Sequence, residues 1–275
     1  MRIDIKEVTK VFDTAAGQIR ALDPITLAIE ANEIVCIVGS SGCGKTTLLN
    51  IIAGLETATA GVVEVDGAVV TGTSPDRGVI FQQYALFPWL TVRQNVEFGL
   101  SLKRIPAAER KRIAAHYIDL VDLTDAADQL PRQLSGGMKQ RCAIARAYAV
   151  QPKVLLMDEP FGALDAMTKT TLQEQLLDAW SAEPRTVVFI THDIDEAVYL
   201  GNRVVVMSPK PGRIANVIDI DLPRPRNPEL RVTPEFNDLR RQVWDAVHGR
   251  GPHDLHSQDP LRSTVAPGEH EGERQ

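Results

Sequence analysis

Short apolar runs recur along this chain at residues 34–38, 154–157, 186–190 and 204–207, with almost no polar side chain among them. Strands that are apolar on both faces belong in the interior of a parallel sheet. Nearer the N-terminus the pattern changes. Ile3, Ile5 and Val8 alternate with charge, and residues 25–29 alternate again, which predicts short half-buried strands over residues 2–30. Phe12 falls in a turn-rich segment between them. Residues 61–68 read as a further β-rich stretch with a glycine turn, and residues 77–81 as a strand leading into Gln82. From Tyr84 to about Ala149 the texture becomes helical. Pro106 can open one helix at its first turn, with Ile113, Tyr117, Leu120 and Val121 on one face, and another helix follows Gly137. Residues 168–180 form a helix, residues 217–220 a last strand, and Asp193 with Glu196 has capping-box spacing for the helix after residue 192. These patterns predict an α/β fold, with alternating strands near the N-terminus and a helical stretch from Tyr84 to about Ala149.

The most informative stretch joins the run at 34–38 to an apolar-periodic helix over about residues 45–53, which Gly54 is placed to end. Between them stand Gly39, Ser40, Ser41, Gly42, Cys43, Gly44, Lys45 and Thr46, the pattern G-x-x-x-x-G-K-[ST]. Glycines let successive backbone N–H groups converge on phosphate oxygens at the positive end of a helix dipole. Lys45 can reach the β- and γ-phosphates, and the Thr46 hydroxyl can ligate Mg²⁺. The bland alternative is a glycine-rich turn that binds nothing; strand, loop and helix in the required order argue against it.

Composition adds boundaries. With 275 residues, a net charge of −6 and a sequence pI of about 5.6, the chain has room for a large core and no overall basic footprint for nucleic acid. Three cysteines without paired spacing predict a reducing compartment. The first ten residues lack an apolar signal region and no run reaches the length of a membrane span, so a cytosolic protein is expected, and any membrane role would come through a partner. Residues 248–275, rich in Gly, Pro, His and charge, read as a disordered tail.

Other groups fall where a triphosphate could use them. Asp158 and Glu159 end one apolar run and His192 follows another, and ligands in open parallel sheets sit beyond the carboxyl ends of strands. Asp158 suits Mg²⁺ through water, and Glu159 can orient or deprotonate a water attacking the γ-phosphate. Taken alone, this is a strand ending in a polar turn. Ser135, Gly136 and Gly137, at a helix start, form a second anion-binding design, or an ordinary capped helix. Two phosphate sites in one chain make sense if each nucleotide is clasped between two copies.

In motif order over roughly residues 1–220 the chain resembles the ATP-binding cassette ATPases, the nucleotide-binding subunits of ABC transporters. GSSGCGKT, Gln82 after VIF, LSGGMKQR, VLLMDEP, GALD ending in Asp165, and His192 carry the resemblance. It implies an α/β P-loop NTPase over residues 1–247, with a RecA-like core, an antiparallel β portion and a helical subdomain inserted at about residues 84–150, that hydrolyses ATP with Mg²⁺ as an ATP-dependent homodimer. It also implies nucleotide contacts from Gly39 through Thr47 and catalysis by Lys45, Glu159 and His192. Thr46, Asp158 and Gln82 would hold the metal. Gln82 would sense the metal and the membrane partner, Asp165 would belong to a loop crossing the dimer interface, and Phe12 would stack on adenine. Asn32 stands where glycine is expected before Glu33.

A narrower resemblance, to nitrate, sulfonate and taurine importer ATPases, rests on FPWLTVRQNV (87–96), SPKPGRI (208–214) and IDLPRPR (220–226). It implies permease subunits, a solute-binding protein beyond them, and a place on the cytoplasmic face of the membrane. A soluble cassette acting on nucleic acid or ribosomes, and an export ATPase, are the alternatives. Two further features have two readings each. Tyr84, Leu86, Phe87, Trp89 and Leu90 are either helical-subdomain core or a groove for a membrane-subunit helix. Cys43 is either a reactive thiolate favoured by the loop amides or a filler facing away from solvent.

Overall fold

A computed structural model of the chain describes residues 1–15 and 17–249. The tail expected at 248–275 lies outside the described residues, apart from His248 and Gly249. In chain order the elements are β1 (Ile3–Thr14), β2 (Gly17–Ile29), β3 (Ile34–Gly39), α1 (Lys45–Ala53), β4 (Ala60–Val65), β5 (Ala68–Val69) and β6 (Arg77–Ile80). The helices α2 (Val92–Leu102), α3 (Ala107–Leu120) and α4 (Gly136–Ala149) follow. The chain continues through β7 (Val154–Asp158), α5 (Ala166–Ala182), β8 (Thr186–Ile190), α6 (Ile194–Leu200), β9 (Arg203–Met207), β10 (Ile214–Asp219) and α7 (Pro234–Val247).

The apolar runs form a six-stranded sheet in the order β10-β9-β3-β8-β7-β6, parallel except for the β10–β9 edge. Period-two alternation explains why these runs are apolar throughout. Ile34, Cys36 and Val38 face one core, with Phe189, α6 and the helices α2 to α4, whereas Val35 and Ile37 face another, with α1. That second core is closed by a four-stranded antiparallel sheet in the order β2-β1-β4-β5. Each fully buried aliphatic side chain here stabilises the fold by about 1.5–3 kcal/mol relative to exposure.

Several boundaries differ from the sequence reading. Instead of short strands around a turn, β1 and β2 make one long hairpin, and Phe12 lies inside β1 opposite Ile19. Cross-strand pairing next to a tight turn carries the strand past its apolar residues. Pro106 sits at the cap of α3, with extended backbone, rather than in its first turn. Asn32 has φ +63, the left-handed region that glycine or asparagine tolerates, which explains its place before Glu33. Asp193 caps α6 by accepting from the N–H groups of Asp195 and Glu196, but Glu196 does not complete the box. Its carboxylate turns inward to Gln173, Thr191 and Lys169.

The segment after β10 is fastened to α6. The buried Arg226 donates through Nη1 to the carbonyls of Val198 (3.2 Å), Tyr199 (2.8 Å) and Gly201 (2.7 Å), where the negative end of the helix dipole accepts a cation. Burial, followed by the nearby Arg224, lowers its pKa to about 10. Arg224 stacks on Trp180 with 4.3 Å to the ring centroid, and Arg231 on Tyr199 at 3.8 Å. Then α7 buries Phe236 and Val243 in the core it shares with α6.

Candidate active site

The turn between β3 and α1 lies at the carboxyl edge of the parallel sheet, and its neighbours come from adjacent strand ends. Gly44 has φ +101, and a Cβ there would meet Leu22 Cδ2 at 2.5 Å, so this turn is closed to larger residues. Behind it Lys45 is buried, its Nζ donating to the carbonyls of Gly39 (2.8 Å) and Ser40 (3.1 Å). Thr46 Oγ1 donates to Asp158 Oδ2 at 2.8 Å, which ties the start of α1 to the end of β7. Burial raises the Asp158 carboxyl above its ordinary value, and the bond from Thr46 opposes that.

Glu159, the next residue, turns out of the strand with φ +46, a strained conformation for a non-glycine residue. Its Oε2 is 3.1 Å from His192 Nδ1 and accepts from Gln82 Nε2 at 3.4 Å. The ends of β6, β7 and β8 thus bring Gln82, Glu159 and His192 to one point. A cleft of about 240 Å³ is lined by Phe12, Ser41, Gly42, Gly44, Lys45, Thr46, Thr47, Gln82 and Glu159, and also by Ala21 and Lys210. Sequence reasoning missed the last two as site residues. Lys210 stood inside the quoted SPKPGRI; the signal was a lone lysine on a Pro-Gly turn directly after a buried strand.

Other expected residues lie elsewhere on the same chain. Ser135 Oγ caps α4 by accepting from Met138 N (3.2 Å), and Gly136 and Gly137 form its first turn. Asp165 Oδ1 caps α5, accepting from Met167 N (3.1 Å) and Thr168 N (3.0 Å). Neither group lines the cleft of Lys45. Cys43 is buried in the core beneath the loop, beside Gly39 and Met207, which matches the reading of a filler turned from solvent. The aromatic connector divides between its two readings. Leu86 packs on the core, while Trp89 is 71% exposed beside Phe87. Asn95 holds the connector by donating to the carbonyls of Phe87 (3.2 Å), Leu90 (3.0 Å) and Thr91 (2.9 Å).

Residues 22–162 match the sequence model of the family described as ABC transporter. The chain belongs to this family. As a member it is an ATP-binding cassette that hydrolyses ATP to ADP and phosphate in the service of transport. An ATP-binding protein of Brucella abortus (strain 2308) is 60% identical over 236 residues, 86% of this chain and 91% of that protein. The nitrate import ATP-binding protein NrtD of Synechocystis sp. is 48% identical over 256 residues, 91% of this chain and 96% of NrtD. The bicarbonate transport ATP-binding protein CmpD of the same organism is 44% identical, over 92% of this chain and 91% of CmpD. Among solved structures, the dimeric form of a bacterial ABC transporter cassette superposes with a TM-score of 0.75 at 35% identity, covering 80% of this chain and 99% of that one. The same cassette in a dimeric post-hydrolysis state bound to ADP and Pi gives a TM-score of 0.74.

Proposed function

We propose that this cassette powers import of a small anion through separate permease subunits, working as a homodimer at the cytoplasmic face of the membrane. Full-length similarity to NrtD and CmpD carries the reading, and favours import over export or work on nucleic acid. Those two relatives are named for nitrate and bicarbonate; sulfonate and taurine rest on the sequence motifs alone. Among the described residues no helix is long and apolar enough to cross a membrane, so the permease would be another chain, with a solute-binding protein beyond it. One nucleotide-binding domain over residues 1–247, with the helical subdomain at 84–150, is part of this reading.

In each site the P-loop from Gly39 to Thr47 would cradle the phosphates, and Lys45 would exchange its carbonyl partners for phosphate oxygens. Phe12 would stack on the base. The oxygens of Thr46 and Asp158 stand side by side with Gln82 near them, a hard-donor set that fits Mg²⁺. Bound there, the ion would supply charge neutralisation on the β- and γ-phosphates. Glu159 then takes a proton from the attacking water as its oxygen bonds to the γ-phosphorus and the bond to the bridging oxygen breaks. His192, 3.1 Å from Glu159, holds that carboxylate in line. Ser135, Gly136 and Gly137 would complete the site of a second copy, and Asp165 would cross between the two.

The test has two arms. Glu159→Gln should bind ATP, hydrolyse it about 10²–10⁴-fold more slowly, and form a dimer with ATP-Mg²⁺ that light scattering detects; adding Ser135→Arg should abolish that dimer. Near-normal turnover of the variant would move the catalytic role elsewhere, and an ATP-independent monomer with full activity in the unmodified protein would overturn the site shared between two copies. Purified from solubilised membranes, the protein should bring permease subunits with it, and nitrate or another small anion should raise ATPase activity when the binding protein is present. Co-purification with ribosomes instead would overturn the import reading.

A further inference from the structure

The parallel sheet divides the cleft into two sides. The P-loop leaves β3, and Gln82, Asp158, Glu159 and His192 all stand at or just beyond the ends of β6, β7 and β8, on one side of it. Across β3 lies β9, and the connection from β9 to β10 is the segment 208–213 with Lys210 at its tip. This hairpin is built against the phosphate loop. Gly212 N donates to Ala21 O and Asp23 N to Gly212 O, each at 2.9 Å, so the hairpin joins the middle of β2 at Leu22 as an added backbone bridge. A Cβ at Gly212 would lie 1.9 Å from the carbonyl oxygen of Cys43, so only glycine permits this approach. Ser208 closes the hairpin, its N–H donating to Arg213 O at 2.9 Å and its Oγ accepting from Arg213 N at 3.3 Å. Pro209 and Pro211 flank the lysine and restrict its backbone, which lowers the entropy lost in holding it over the cleft.

Lys210 itself is exposed and lines the cleft with Phe12, Ala21 and the P-loop. Among the described residues, the lysines that pair with carboxylates are Lys6, Lys10, Lys153 and Lys169. Lys210 keeps its charge for the cleft. We propose that Lys210 is a second cationic contact for the nucleotide, reading the phosphates at the base-proximal end, where Lys45 and the carboxylates of β7 do not reach. The inference rests on the reading of this cleft as the ATP site. Its placement opposite the groups that handle the γ-phosphate makes it a binding contact that ATP and ADP share.

The measurement is calorimetric titration of the full-length protein with ADP and, on the hydrolysis-slow Glu159→Gln background, with ATP. Lys210→Ala should weaken both nucleotides by a similar factor of about five- to twentyfold, as expected of one charge-assisted bond in a partly exposed site. Lys210→Arg should stay within about twofold of the parent. In steady-state assays Lys210→Ala should raise the KM for ATP far more than it lowers kcat. Unchanged affinity for both nucleotides would overturn the proposal, and so would a loss confined to ATP, because that places the lysine at the γ-phosphate. Failure of the unmodified protein to bind either nucleotide would instead overturn the reading of the cleft.

Discussion

Behind the active site, Lys169 of α5 ends in a buried carboxylate network. Its Nζ lies 2.6 Å from Asp193 Oδ2 and 2.9 Å from Glu196 Oε1. Glu196, with only 5% of its side chain exposed, also accepts from Gln173 Nε2 at 3.0 Å and from Thr191 Oγ1. Replacing Lys169 with Met leaves two carboxylates facing each other without their shared cation. Removing one partner of a buried pair costs about 3–5 kcal/mol. Here two neutral donors remain on Glu196, and Lys169 and Asp193 are 25% and 34% exposed, so about 2–3 kcal/mol is the better figure. At about 2–4 °C per kcal/mol for a domain of this size, Tm should fall by about 5–10 °C. Adding Glu196→Gln should restore at least half of that loss, because the amide keeps hydrogen bonds without a stranded charge.

The pH dependence has a definite sign. Burial pushes the Asp193 carboxyl up, but the bond and charge of Lys169 and the backbone donors outweigh it, leaving the pKa below its ordinary value. A depressed acid stabilises above its unfolded value, near 3.9, and that stability is lost as pH falls through the folded value. The gap in Tm between wild type and Lys169→Met should therefore be flat from about pH 5 to 8 and shrink in more acid solution. Scanning calorimetry across that range decides it. A Tm within about 1 °C of wild type, or a double variant less stable than either single one, would refute the network argument.

Trp89→Ser should leave Tm nearly unchanged, because the ring is 71% exposed, while membrane association and transport fall; membrane fractionation beside calorimetry checks both. Burial raises the thiol of Cys36 strongly and that of Cys142 to about 12, and Cys43 is buried as well. All three should resist alkylation at pH 7 with or without ATP-Mg²⁺ and react on unfolding, as mass spectrometry would report; rapid labelling of native Cys43 would contradict its burial.

The parallel sheet was legible because its strands are apolar on both faces, and the P-loop because its glycines and lysine act through local backbone geometry. What escaped depends on distant segments meeting. The pattern of Asp193 and Glu196 suggested a reciprocal cap, yet Glu196 has a better use: Lys169 and Gln173, more than twenty residues earlier, are brought against it by α5. Phe12 looked like a turn residue because the hairpin end is polar and small, while cross-strand pairing keeps it extended. Lys210 offered only a lone lysine on a Pro-Gly turn as a local signal, since its position over the cleft comes from Gly212 touching Cys43 and the middle of β2. The α7 helix was not read at all, because much of its length is polar and only Phe236 and Val243 are buried.

The fastening of Arg226 has a bearing on where this protein can be shortened. The family match ends at residue 162 and the last strand at Asp219, so a cut just after β10 would look harmless. It would remove a guanidinium that holds three carbonyls at one end of a seven-residue helix whose other end follows His192. Those carbonyls would open to water, the last turn of α6 would fray, and the loss would reach His192, which contacts Glu159. The smallest self-sufficient piece of this chain therefore runs past Arg226, and trimming is better begun beyond α7.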